Sequence, residues 1–252
     1  MEPQAKEPQA DVTLKEDSFG RVERVTLEGP SGVPGAASRS FVRRVACGGR
    51  IPGSAFLARR LLARERRALG VLEGLGRVPS LVESGPFPAP AHPKRVLHRS
   101  WLTGVPLYAA EVLPEDFFER LEDLVRAVHG CGVCHNDLHK EGNVIVGPAG
   151  EPGLVDFQLA SVHPSRGRAF GVRCKEDLRH VNKQHRRYLA AGKKGTLQPG
   201  FVEQSERSTL AAAWMRFGKP IYNFITRRVL GVRDGEPRRK RTDDWPRWEK
   251  RP

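Results

Sequence analysis

Apolar positions along this chain follow two rhythms, one of helices and one of short strands. Phe56, Leu57, Leu61, Leu62, Leu69, Val71 and Leu72 fall mainly at helical spacing, which predicts a helix over 54–75. A second helix is predicted from Pro114-Glu115-Asp116, with Phe117, Phe118, Leu121, Leu124, Val125 and Val128 repeating at threes and fours. Gly130 and Gly132 end it. A basic helix is expected over 175–189, and a last one over about 208–230 around Leu210, Trp214, Phe217, Ile221 and Phe224. Strands are predicted around Val22, Val25 and Leu27, then over 40–45, 78–82 and 95–102. Val144-Ile145-Val146 and Leu154-Val155 read as a further pair, joined by a Gly-Pro-Ala-Gly turn.

The ends carry no such rhythm. EPQA occurs twice, at 2–5 and 7–10, and residues 1–20 are expected to be disordered. Residues 191–207 read as a loop. The tail, 231–252, is basic, with Arg238-Arg239-Lys240-Arg241 beside Trp245 and Trp248. That mixture suits an anionic membrane surface, but such a run is more often a solvated tail.

Composition narrows the classes. A chain of 252 residues can bury a core in one large or two small units. The net charge of +14 predicts attraction to polyanions such as nucleotides, phosphorylated glycans, nucleic acid or an anionic membrane face. Four irregularly spaced cysteines give no disulfide framework, and no run is long enough to be a transmembrane helix. The N-terminus has no apolar signal region. A cytoplasmic chain is expected, at most peripheral at the inner face of the membrane.

The stretch from His135-Asn136-Asp137 to Asn143, followed by Asp156-Phe157-Gln158, carries the chemistry. A hairpin over 144–155 puts Asn143 at the entrance of one strand and Asp156 at the exit of the next, with Asp137 alongside. Phosphoryl transfer needs that set: hard oxygen ligands for Mg²⁺, and a separate carboxylate to orient the attacking hydroxyl and take its proton. These residues resemble the catalytic loop and the metal motif of the protein-kinase-like superfamily. His-Asn-Asp-Leu-His-Lys-Glu-Gly-Asn and Asp-Phe-Gln-Leu-Ala look most like the bacterial lipopolysaccharide kinase (Kdo/WaaP) family and RIO-like small kinases.

The resemblance implies an α+β, two-lobed fold, with a small β-rich N-lobe over 21–103 and a mostly helical C-lobe over 104–230. It implies ATP and Mg²⁺ as cofactors, Asp137 as catalytic base, and Asn143 and Asp156 as metal ligands. His135 would support the loop, and Lys140 would reach the transferred phosphate. Glu65, on the first helix, would pair with a strand cation that steadies the nucleotide. No lysine stands at that strand position, since Lys94 is the only one between Lys15 and Lys140; Arg43 or Arg44 occupies it. Thr103-Gly104-Val105-Pro106-Leu107 resembles the inter-lobe hinge. No Ala-Pro-Glu segment for docking a peptide is present. The acceptor would be a hydroxyl, of a lipopolysaccharide core sugar or of a protein Ser/Thr, with a slight tilt to the glycan.

Three departures are visible. Asp137 and Asn143 are one residue further apart than in the usual motif, Gln158 stands where Gly is usual, and Arg replaces the strand Lys. The last motivates a pseudokinase, a nucleotide-binding module without turnover. A basic polyanion-binding protein is the other alternative, although a nucleic-acid partner is not expected. Asp177 could brace the catalytic loop or be a plain acid near a helix start.

Cys131-Gly132-Val133-Cys134-His135 also fits a haem-attachment pattern. No haem is expected, because a secretory signal and a distal Met ligand are lacking. Zinc is not expected either, since Cys47 and Cys174 are isolated in sequence. Cys131 and Cys134 are read as small residues packed where a helix enters the loop.

Overall fold

The computed structural model describes residues 12–17, 19–27, 39–48, 53–82 and 94–190. They form a mixed α+β structure. Strands β1 (Val12–Asp17), β2 (Gly20–Leu27), β3 (Arg39–Ala46) and β4 (Val96–Ser100) make an antiparallel sheet in sequence order. Helix α1 (Ser54–Val71) packs on it. Strand β5 (Val105–Pro106) pairs with β7 (Val144–Val146), which pairs with β8 (Pro152–Leu154). Helix α2 (Phe117–Gly130) leads into β6 (Val133–Cys134), which pairs with β9 (Ser161–Val162). Helix α3 (Arg168–Ala190) packs against α2.

Two apolar clusters hold these elements. Ala46, Ala58, Leu62 and Leu97 form the smaller one between the sheet and α1. The larger is built from Phe117, Phe118, Leu121 and Val125 of α2, Val144 and Leu154 of the hairpin, Phe157, Val181 and Tyr188. Helix α1 enters both, through Ala58 and Leu62 at one end and Ala68, Leu69 and Leu72 at the other. Full burial of one such leucine is worth about 1.5–3 kcal/mol, so α1 is anchored at both ends. The buried stripe runs through positions 54, 58, 62, 65 and 69, and it includes Glu65. Phe56 and Leu57 lie off that stripe and are exposed.

Several expectations are corrected. Residues 12–17 form an edge strand instead of disorder. Their backbone pairs with β2, and the exposed side chains of 13–16 supply no buried face to read. Residues 78–82 make only an isolated bridge, Leu81 with Arg99; the ladder stops where the Ser80 N–H donates to the Ser100 hydroxyl at 2.9 Å instead of to a backbone carbonyl. Helix α3 begins at Arg168, ahead of the expected start at 175, since its first turns carry little apolar pattern besides Phe170. The helix expected over 208–230, the loop over 191–207 and the basic tail lie outside the described residues.

Two glycines mark close approaches. At Gly104 (φ 142°) a Cβ would come within 2.3 Å of the Val146 carbonyl oxygen, so only glycine lets the chain pass β7 there. Gly132 (φ 79°) ends α2, and its carbonyl accepts the His163 N–H at 2.8 Å.

Candidate active site

The loop from His135 to Asn143 joins β6 to β7 and is held from below by α3. Asp177 is buried; its Oδ2 accepts the His135 N–H at 2.8 Å and its Oδ1 the Asn136 N–H at 2.9 Å. Gln184, two turns on, donates to the Leu138 carbonyl at 2.7 Å. Of the two roles open to Asp177, the brace is the one it fills. His135 Nε2 lies 3.0 Å from the Val155 carbonyl, with its ring against Phe157. Asn136 takes a left-handed backbone (φ 63°), which asparagine tolerates better than most residues. Its amide donates to Leu159 O at 2.9 Å and Ser161 Oγ at 3.0 Å.

This brace presents Asp137, whose side chain is fully buried. Lys140 Nζ is 3.1 Å from its Oδ2, and Asn143 Nδ2 donates to the same oxygen at 3.1 Å and to the Asp137 carbonyl at 3.0 Å. His139 Nδ1 stands 3.0 Å from Oδ1. Burial pushes the Asp137 carboxyl up. The His139 hydrogen bond and the Lys140 charge outweigh that and hold it below the ordinary carboxylate range. The group is therefore an ionised, buried acceptor.

A second group gathers round Arg44 of β3. Its NH1 reaches Glu65 Oε2 at 2.9 Å and Asp156 Oδ1 at 3.0 Å, while NH2 bonds the Gln158 side-chain oxygen. Gln158 in turn donates to Asp156 Oδ2 at 3.2 Å. Glu65 is fully buried, and Arg99 of β4 lies 3.3 Å from its other oxygen. Two cations thus face one buried acid, and Glu65 is no surface salt bridge. Burial works against the Arg44 charge, but Glu65 and Asp156 more than restore it and raise its pKa.

Arg43 points elsewhere. Successive strand residues face opposite sides of a sheet, and Arg43 Nε meets Glu23 at 2.7 Å. Of the two candidate arginines, the structure brings Arg44 to Glu65 and leaves Arg43 out.

The hairpin links the two groups. Val155 N donates to the Asn143 carbonyl at 3.0 Å, so Asn143 and Asp156 flank the open end of β7–β8. Asp156 also has a left-handed backbone (φ 65°), uncommon for a residue other than glycine. With its nitrogen committed to Asp137, the Asn143 amide keeps its oxygen as an acceptor. An amide oxygen and a carboxylate fit a hard divalent cation such as Mg²⁺.

No family model matches this chain, and no curated protein matches it. The geometry therefore carries the functional argument alone.

Three features of the site escaped the sequence. His139 had no assigned role, although it stands two residues from Asp137. Gln158 reads in sequence only as a lost glycine, yet here it joins Arg44 to Asp156. Arg99 carried no signal beyond a polar position in a strand. The cysteines differ from expectation as well. Cys134 is buried as expected, but Cys131 is exposed, and Cys174 lies with its Sγ 3.7 Å from that of Cys134. Cys174 is isolated only in sequence; the packing of α3 against β6 brings it in.

Proposed function

We propose that this chain is a protein-kinase-like phosphotransferase that moves the ATP γ-phosphoryl group to a hydroxyl. The observation that carries the reading is Arg44, which bridges Glu65 of α1 and Asp156 after the hairpin. A guanidinium held between two acids stays charged, and a charged guanidinium recognises phosphate through charge-assisted hydrogen bonds. The mixed α+β structure, with α1 seated in both apolar clusters, is compatible with two lobes facing across that bridge.

Asp137 has the properties of the base in this reading. It is ionised, it is fixed by Asn143, and it can accept the proton of an acceptor hydroxyl as the oxygen attacks phosphorus. Lys140 stands beside it, where its charge offsets that of the transferred phosphoryl group. Asn143 and Asp156 would hold Mg²⁺, which would neutralise phosphate charge when bound. The acceptor would be a glycan hydroxyl or a protein Ser/Thr. The lack of an Ala-Pro-Glu segment favours the glycan, and contact with an anionic membrane through the tail would suit it. No helix among the described residues is long and apolar enough to cross a membrane.

One observation favours a second reading, a nucleotide-binding module without turnover. Arg44 and Gln158 occupy both oxygens of Asp156, which Mg²⁺ would need. Mg²⁺-dependent ATP turnover by the full chain, with Asp137→Ala as control, separates the two. The enzyme reading expects turnover that the variant loses. Equal background rates would end it, and Mg·ATP binding without turnover would leave the module.

A further inference from the structure

Where β6 enters the His135–Asn143 loop lies a cluster that the phosphotransferase reading does not use. His129 comes from the last turn of α2, Cys134 from β6 and Cys174 from α3. One ring nitrogen and the two sulfurs lie within 4.8 Å of one another. His129 and Cys134 are buried, while Cys174 is half-buried and leaves a way in.

We propose that His129, Cys134 and Cys174 form a binding site for a borderline-soft divalent cation, Zn²⁺ above all. The donor set is the first argument, since imidazole and thiolate together select zinc over Mg²⁺ or Ca²⁺. The spacing is the second. Two thiolates at about 2.3 Å from a tetrahedral zinc sit about 3.8 Å apart, and these two sulfurs are already 3.7 Å apart. The histidine is the third. Its Nε2 lies 3.1 Å from the Asp177 carboxylate, which can only accept. A carboxylate that takes the N–H of a histidine ring fixes its tautomer, as is usual for metal-bound histidines.

The balance is simple. Burial raises both thiols above their ordinary pKa, so they are protonated in the absence of metal. Zn²⁺ takes the two sulfurs as thiolates and two protons leave to solvent. No electron moves. Three protein ligands leave one position for water, so the site would exchange its metal more readily than a closed four-ligand one. Cys134 precedes His135, and Cys174 lies on α3 three residues before Asp177. The metal would therefore clamp α3 to the base of the loop that Asp177 already braces. The site stands independently of the phosphotransferase reading.

Co²⁺ titration of the reduced, metal-free full chain tests it. The wild type should bind one equivalent and show thiolate-to-cobalt charge-transfer absorption that Zn²⁺ removes. Cys174→Ser should lose that absorption. Cys131→Ser should keep it, because Cys131 is the sequence neighbour of Cys134 but not its spatial partner. Alkylation followed by peptide mass spectrometry needs no variant: Zn²⁺ should shield Cys174 and leave Cys47 and Cys131 reactive. Absence of the cobalt band in the wild type, its survival in Cys174→Ser, its loss in Cys131→Ser, or an unshielded Cys174 would overturn the site. So would a Cys134–Cys174 disulfide formed in air by a chain that binds no metal once reduced.

Discussion

Asp177 Oδ2 accepts the backbone N–H of His135 at 2.8 Å across a separation of 42 residues. One carboxylate on α3 thereby decides the path of the loop that carries Asp137. The same oxygen meets His129 Nε2 at 3.1 Å, and the other takes the Asn136 N–H.

Removing that carboxylate leaves two amides without it in a buried setting, and each unsatisfied group costs about 1–3 kcal/mol. Asp177→Ala should lower stability by on the order of 3 kcal/mol, read as a shift in the urea midpoint at unchanged slope. A shift below about 1 kcal/mol would mean that water replaces the brace.

Arg44 and Arg43 are adjacent in sequence but face different partners. Under the proposed function, Arg44→Ala should weaken Mg·ATP binding by about tenfold or more, the worth of one charge-assisted contact. Arg43→Ala should leave it within about twofold. Calorimetric titration of both variants decides, and equal losses would remove Arg44 from its role.

Asp137 ties stability to acid pH. Its folded pKa is depressed, so its contribution is fully present above the unfolded carboxyl pKa, about 3.9. It is lost as pH falls from there through the folded value. Urea unfolding of the wild type and Asp137→Asn should show a gap at neutral pH that narrows in strong acid. A gap constant with pH would show that the carboxylate charge does not stabilise the fold.

His180 acts over a higher range. Burial, then the Arg179 charge, lowers its pKa from 6.5 to about 4. Between those values the unfolded chain binds the extra proton, so stability falls as pH drops from 6.5 towards 4. His180→Gln should remove part of that fall. Proton NMR of the wild type should find the ring titrating near 4; a midpoint near 6.5 would contradict the burial argument.

Much of the architecture was legible in local pattern. The α2 stripe, the β7–β8 hairpin and the helical core of α1 follow from apolar spacing and from the turn at Gly147 to Gly150. Edge strand β1 was not, because an edge strand needs backbone partners and not an apolar face. In the site, Asp137, Asn143 and Asp156 stand out by their order and spacing, and the hairpin explains why such spacing places two of them at one end.

By itself the sequence determined the elements that local rhythm dictates, along with the short-range grouping of Asp137, Lys140 and Asn143. Only the tertiary structure decided which arginine meets Glu65, that Cys174 belongs with Cys134, and that Asp177 holds the loop. Those choices join residues 21 to 42 positions apart. Strand facing and the packing of α3 against α2 and β6 set them, and neither leaves a periodic trace in the residues themselves.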